Sequence, residues 1–186
     1  QALGRNVRDF HPNDLALAAT SFASINCDAP RFFRDVLRNA DHCFADHRNA
    51  VLKFEAASDV LRACAVLGWV DDQAMARLGQ VCADRMHDAS EDALVDAVEA
   101  LAKVGGFHSS PLFKAVAVSG RSFQPKTAER LLDAFALAGA WHDDFLGSLT
   151  EHADAAKLFR VAAAAERPSL LPPGVTPEPL QDAEGR

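Results

Sequence analysis

Four positions in the chain punctuate it at near-regular intervals. Asn26, Gly68, Gly105 and Gly139 stand 42, 37 and 34 residues apart, and each follows an apolar run of the same form. Three residues before each anchor is an alanine: Ala23, Ala65, Ala102 and Ala136. Four before it stand Phe22, Cys64, Leu101 and Phe135, one before it Ile25, Leu67, Val104 and Ala138, and seven before it Ala19, Leu61, Val98 and Leu132. Offsets of one, four and seven, widened by three, mark one apolar stripe on a helix. Glycine and asparagine are the residues that tolerate the left-handed conformation in which helices end. Seven residues past each anchor a second stripe begins with Phe33, Met75, Leu112 and Leu146. It continues one turn on with Val36, Leu78, Ala115 and Leu149.

Each unit therefore reads as a helix, a short turn and an antiparallel helix, with Asp28, Asp71, Ser109 or Asp143 available to cap the second. The spacing places hairpins over about 12–48, 54–88, 91–120 and 125–150, with a further helix over 151–166. Pro12 and Pro125, preceded by Phe10 and Phe123, suit the first turn of a helix. The expected fold is all-α, a short right-handed α-solenoid of about four helical hairpins. It divides into an N-terminal extension (1–9), a repeat array (10–166) and a proline-rich extended tail (167–186). That tail holds five of the nine prolines, is excluded from regular helix or sheet, and is expected to be held by a partner protein. On this reading His108 and His142 occupy matching turn positions and are not a catalytic pair.

At 186 residues there is length enough for one domain and a real core. The hydrophobic share of 49 % owes much to alanine, and tyrosine is absent, as suits closely packed helices. No apolar run reaches the roughly 18–20 residues of a membrane span. A net charge of −7 argues against a dedicated nucleic-acid binder, whose affinity rests on phosphate contacts. Cys27, Cys43, Cys64 and Cys82 are far apart, which favours reduced thiols over a disulfide scaffold. The first residue is Gln1, which leads us to expect a fragment or a processed form, such as one left by removal of a targeting peptide.

The units DLALAATSFASINCDAPRFFRDVLRNA and ALVDAVEALAKVGGFHSSPLFKAVAVSG resemble organellar helical-hairpin repeats of the octotricopeptide and heptatricopeptide types, and the related repeats that precede RAP domains. Leu67-Gly68-Trp69 and Val104-Gly105-Gly106-Phe107-His108 carry the likeness, which covers about residues 10–153. The octotricopeptide proline signature in the second helix is missing, as is a RAP-like C-terminal domain. The resemblance implies a mitochondrial, matrix-side location, and a concave face lined by first helices that touches RNA where RNA is bound.

Three outward columns test that implication. Nine before the anchors stand Leu17, Asp59, Asp96 and Arg130; six before, Thr20, Arg62, Glu99 and Asp133; two before, Ser24, Val66, Lys103 and Leu137. Mixed charge with an acidic excess and no aromatic platform suits solvation or salt bridges with a protein better than a phosphate chain.

The densest group of metal-ligating types is Asp41-His42-Cys43-Phe44-Ala45-Asp46-His47, in which Cys43 and His47 share a helical face. Without a convincing second pair it reads as a polar helix end, and no metal or other cofactor is expected. Serine-nucleophile and phosphate-loop motifs are absent. Asp71-Asp72 and Asp143-Asp144 read as helix N-terminal charges. Candidates for partner binding are Trp69 and Trp141 at matching turns, the arginines Arg31, Arg34 and Arg38 on one helical face, and Pro172 and Pro173 in the tail. The expected function is a non-catalytic scaffold or accessory subunit of a large mitochondrial assembly, a respiratory complex or a mitoribosome. The alternative is an organellar RNA-binding protein.

Overall fold

A computed structural model describes residues 7–45, 50–69, 71–104, 110–140, 145, 148 and 149. These residues form eight packed α-helices and two 3-10 turns, with no strand among them. The helices are α1 (Pro12–Ser24), α2 (Pro30–Arg38), α3 (Ala40–Ala45), α4 (Ala50–Leu67), α5 (Asp72–Arg85), α6 (Glu91–Val104), α7 (Pro111–Val118) and α8 (Pro125–Ala138). The expectation of an all-helical chain is met. The segment 151–166, the tail 167–186, and Gly105, His47, His108, Trp141, His142, Pro172 and Pro173 lie outside the described residues.

Helix starts follow the local chemistry. α1, α2, α7 and α8 each begin at a proline, whose missing N–H would have no helical partner there. Asp71 caps α5, its Oδ1 accepting from the Ala74 N–H at 2.9 Å. Asp28 does not cap α2; its carboxylate accepts a hydrogen bond from Trp69 instead, and Ala29 occupies the cap without a side-chain bond.

The anchors do what their residue types permit. Asn26, Gly68 and Gly139 have φ of 49°, 67° and 65°, all left-handed. Past each, the next N–H donates to the carbonyl five residues back: Cys27 to Phe22 at 2.8 Å, Trp69 to Cys64 at 2.9 Å, and Ala140 to Phe135 at 2.9 Å. Asn26 and Gly139 also donate to Ala23 and Ala136, at 3.1 Å each. This is the Schellman termination, repeated at the same offset.

α1 packs on α4, α4 on α6, and α6 on α8; on the other side α5 packs on α2, α3, α4 and α7. The seventh and fourth residues before the anchors fill the seam between these groups: Ala19, Leu61, Val98, Cys64 and Leu101 are fully buried, Leu132 and Phe135 nearly so. Burial is wider than one stripe. Ala63, Ala100 and Ala134, five before the anchors, are also buried, the first two because α4 and α6 are flanked by helices on both sides. Small side chains at these points let neighbouring backbones approach.

Two expectations need correction. Ile25 belongs by position to the apolar stripe but is 71 % exposed, since it is the C-cap of α1, where the chain has already left the helical path. The second helix of the first hairpin is two helices, broken at Asn39. The Asn39 amide donates back to the Asp35 carbonyl at 2.7 Å, a local bond that competes with the helical ladder. Arg8 Nε holds its Oδ1 at 2.8 Å.

Aromatic contacts repeat as well. Phe22 and Phe32 have ring centroids 5.2 Å apart, tilted by 56°; Phe135 and Phe145, at the same offsets from their anchor, are 5.1 Å apart and tilted by 47°. No described helix is long and apolar enough to cross a membrane.

Candidate functional site

The outward columns of α1, α4, α6 and α8 do not present separate charges. Arg62 of α4 bonds Asp96 of α6 at 2.9 Å and its own-helix neighbour Asp59 at 3.4 Å. Arg130 of α8 reaches the same Asp96 at 2.6 Å and grips Glu99 with two nitrogens, at 2.7 and 3.1 Å. Lys103 lies 3.9 Å from Glu99. Asp59, Arg62, Asp96, Glu99, Lys103 and Arg130 thus make one network that ties three successive helices together.

The network is graded by exposure. Arg130 is 31 % exposed, and Asp96 and Glu99 25 %, whereas Arg62 is 51 % exposed. The fork of Arg130 against two carboxylates is the geometry in which a guanidinium binds most strongly. Its hydrogen bond to Glu99 pushes the Arg130 pKa further up, with Asp96 adding to the effect. Burial raises the pKa of Asp59, Arg62 lowers it and Asp96 raises it again. Leu17, Val66 and Leu137 extend the same surface as exposed apolar side chains, 68 %, 64 % and 64 % open. Thr20 and Ser24 donate their hydroxyls to carbonyls of their own helix.

Mixed charge in these columns was legible in the sequence, but its use was not. The charges engage one another rather than awaiting solvent or a partner. The signal lay in reading along the columns: Asp96 and Arg130 follow one another in one, Arg62 and Glu99 in the next, each pair of opposite sign.

The remaining candidates are dispersed. Trp69 is half-buried, stacked on Phe33 with centroids 6.0 Å apart and planes 19° off parallel, and its Nε1–H donates to Asp28 at 3.0 Å. It joins the second hairpin to the turn of the first. Arg31, Arg34 and Arg38 are exposed on α2, while Phe32 and Phe33 beside them are buried. Ala23, Ala65 and Ala136 are half-buried at helix ends and Ala102 is buried; Gly68 and Gly139 are exposed turn residues.

Cys43 is buried and its thiol points to the Val7 carbonyl at 3.7 Å. Burial pushes its pKa up to about 11, which keeps the sulfur protonated at neutral pH. Burial raises Cys64 to about 12 and Cys82 further. Among the described residues no three His, Cys, Asp or Glu side chains converge as a metal site would require.

One buried polar atom is out of place. Ser110, at the start of α7, has a buried hydroxyl without a partner, packed onto the bare backbone of Gly79 in α5. A Cβ on Gly79 would fall 2.5 Å from that oxygen, so the pair records close helix approach rather than a ligand position.

No protein-family model matches this chain, and neither curated proteins nor solved structures yield a match.

Proposed function

We propose that the chain is a non-catalytic scaffold or accessory subunit of a large assembly, acting through protein–protein contacts, and that its hairpins stack as a short α-solenoid. The observation that carries this reading is the ion-pair network of Asp96, Glu99, Arg62 and Arg130, which fixes the relative placement of α4, α6 and α8. A row of helices held at fixed spacing offers a long, stiff surface, and binding is the natural use of such a surface. The resemblance of its units to organellar repeats supports a mitochondrial setting, and matching left-handed caps at Asn26, Gly68 and Gly139 support a repeated hairpin.

RNA binding in an organelle is the second reading. The exposed arginines of α2 favour it; the acidic balance and the self-neutralised outward columns oppose it.

The deciding experiment is the native size of the protein in an organelle extract, with and without ribonuclease, with co-migrating proteins identified by mass spectrometry. A large particle that survives nuclease is the expected result. Collapse on nuclease would transfer the protein to an RNA assembly, and a free monomer in both lanes would remove both readings.

A further inference from the structure

Several of the described arginines serve the fold itself. Arg62 and Arg130 build the ion-pair network, and Arg121 donates to the carbonyls of Met86 at 3.2 Å and Ala89 at 2.9 Å. The exception is a group at the other side of the molecule. Arg31, Arg34 and Arg38 stand three and four residues apart along the exposed face of α2. Two further exposed arginines converge on the C-terminal end of that helix. Arg77 of α5 reaches the Arg38 carbonyl at 3.4 Å, and Arg8 bonds the Asn39 side chain at 2.8 Å. None of the five makes an ion pair with another described residue.

We infer that Arg8, Arg31, Arg34, Arg38 and Arg77 form one docking surface for a carboxylate-rich segment of a partner protein. Five guanidinium groups gathered in a chain of net charge −7 are a local reversal of sign, and complementarity then selects an acidic partner. Arginine rather than lysine at every position suits bidentate capture of carboxylates. The negative end of the α2 dipole favours guanidinium groups at that end, where Arg8 and Arg77 bond Asn39 and the Arg38 carbonyl. Two features select protein over RNA. The face is compact, since Arg31 to Arg38 spans about 10 Å at the usual helical rise, too short to track many phosphates. It also lacks a stacking platform: Phe32 and Phe33 are buried, and Trp69 is stacked and hydrogen-bonded. Asp9 and Asp35 are exposed nearby and favour a partner that reaches the arginines at chosen points. The inference rests on the protein-contact reading above and names the chemistry of one contact.

The test compares the wild-type protein with two charge-matched variants, Arg31→Gln with Arg34→Gln, and Lys114→Gln with Lys126→Gln, all four positions being exposed. Fluorescent oligoglutamate and oligouridylate of equal charge serve as probes at physiological salt. Oligoglutamate should bind the wild type and the lysine variant alike, and the arginine variant about tenfold more weakly, a loss of about 1.4 kcal/mol. Equal binding by both variants, or none by the wild type, overturns the inference, as does tighter arginine-dependent binding of oligouridylate. In the extract, the arginine variant should lose neighbours that the lysine variant keeps. If it keeps all of them in an intact particle, the docking surface is wrong while the scaffold stands; a wild type that runs free sinks the scaffold itself.

Discussion

Arg130 Nη2 lies 2.6 Å from Asp96 Oδ1, across the seam between α8 and α6, and the same carboxylate takes Arg62 from α4 on its other oxygen. The two residues are 34 positions apart, the same separation as Gly105 and Gly139 in the sequence. Other bonds join residues at similar separations. Ser58 donates to the Ala93 carbonyl, 35 positions on, and the Gln124 N–H to Glu91, 33 positions back.

A double-mutant cycle on Arg130→Ala and Asp96→Ala, read by chemical denaturation, should give a coupling of about 1 kcal/mol, because both groups are sheltered and bidentate contacts are shared. The more exposed Arg62 and Asp59 pair should couple by less than about 0.5 kcal/mol. Raising the salt should weaken the second pair more than the first. Zero coupling in the first cycle would mean that the network does not fix the helices.

The left-handed turns make a second set of predictions. A Cβ on Gly68 or Gly139 meets nothing within 4 Å, so Gly68→Ala and Gly139→Ala test backbone strain alone. Each should cost about 1 kcal/mol, while Asn26→Gly should be neutral or stabilising. Thermal melts of the three variants check this. Equal stability of Gly139→Ala and wild type would show that the Schellman turn contributes nothing.

Gly79 and Ser110 should couple with opposite signs. Gly79→Ala alone should lose about 1–3 kcal/mol by overpacking against the serine oxygen. Ser110→Ala removes a buried hydroxyl that has no partner and should leave stability unchanged or raised. In the double variant Ser110→Ala should recover most of the loss, and its failure to do so would place the strain elsewhere.

The thiols give a pH dependence. In native protein a disulfide reagent should label Cys27, the half-buried one, well before Cys43, Cys64 and Cys82. The buried thiols have pKa values raised above the ordinary 9.0, so the unfolded chain ionises first. Their contribution is complete below that value and declines as pH climbs towards about 11 for Cys43 and about 12 for Cys64. Denaturation midpoints between pH 8 and pH 10.5 should therefore fall less in Cys64→Ala than in wild type. Parallel curves would contradict this linkage.

Local rules carried the helices and their ends. Pro12 and Pro125 start helices, Asp71 caps one, and Asn26, Gly68 and Gly139 stop three, because each effect is set by one residue's own backbone and its nearest neighbours. Periodicity also identified the seam, where Ala19, Leu61, Val98 and Leu132 are buried. The break at Asn39 was not legible, since it depends on a side chain turning back to its own helix and on Arg8 from 31 positions away.

By itself the sequence determined an all-helical chain with a hairpin rhythm, and which residues bend and which are buried at the helix seam. Only the tertiary structure decided which charges are already satisfied. Arginines that look alike in sequence diverge in space: Arg62 and Arg130 meet carboxylates of a neighbouring helix, whereas Arg31 and Arg34 meet none among the described residues. The reason is physical. A helical pattern fixes the direction of a side chain about its own axis, but an ion pair between helices depends on the spacing and register of two axes, which packing alone sets.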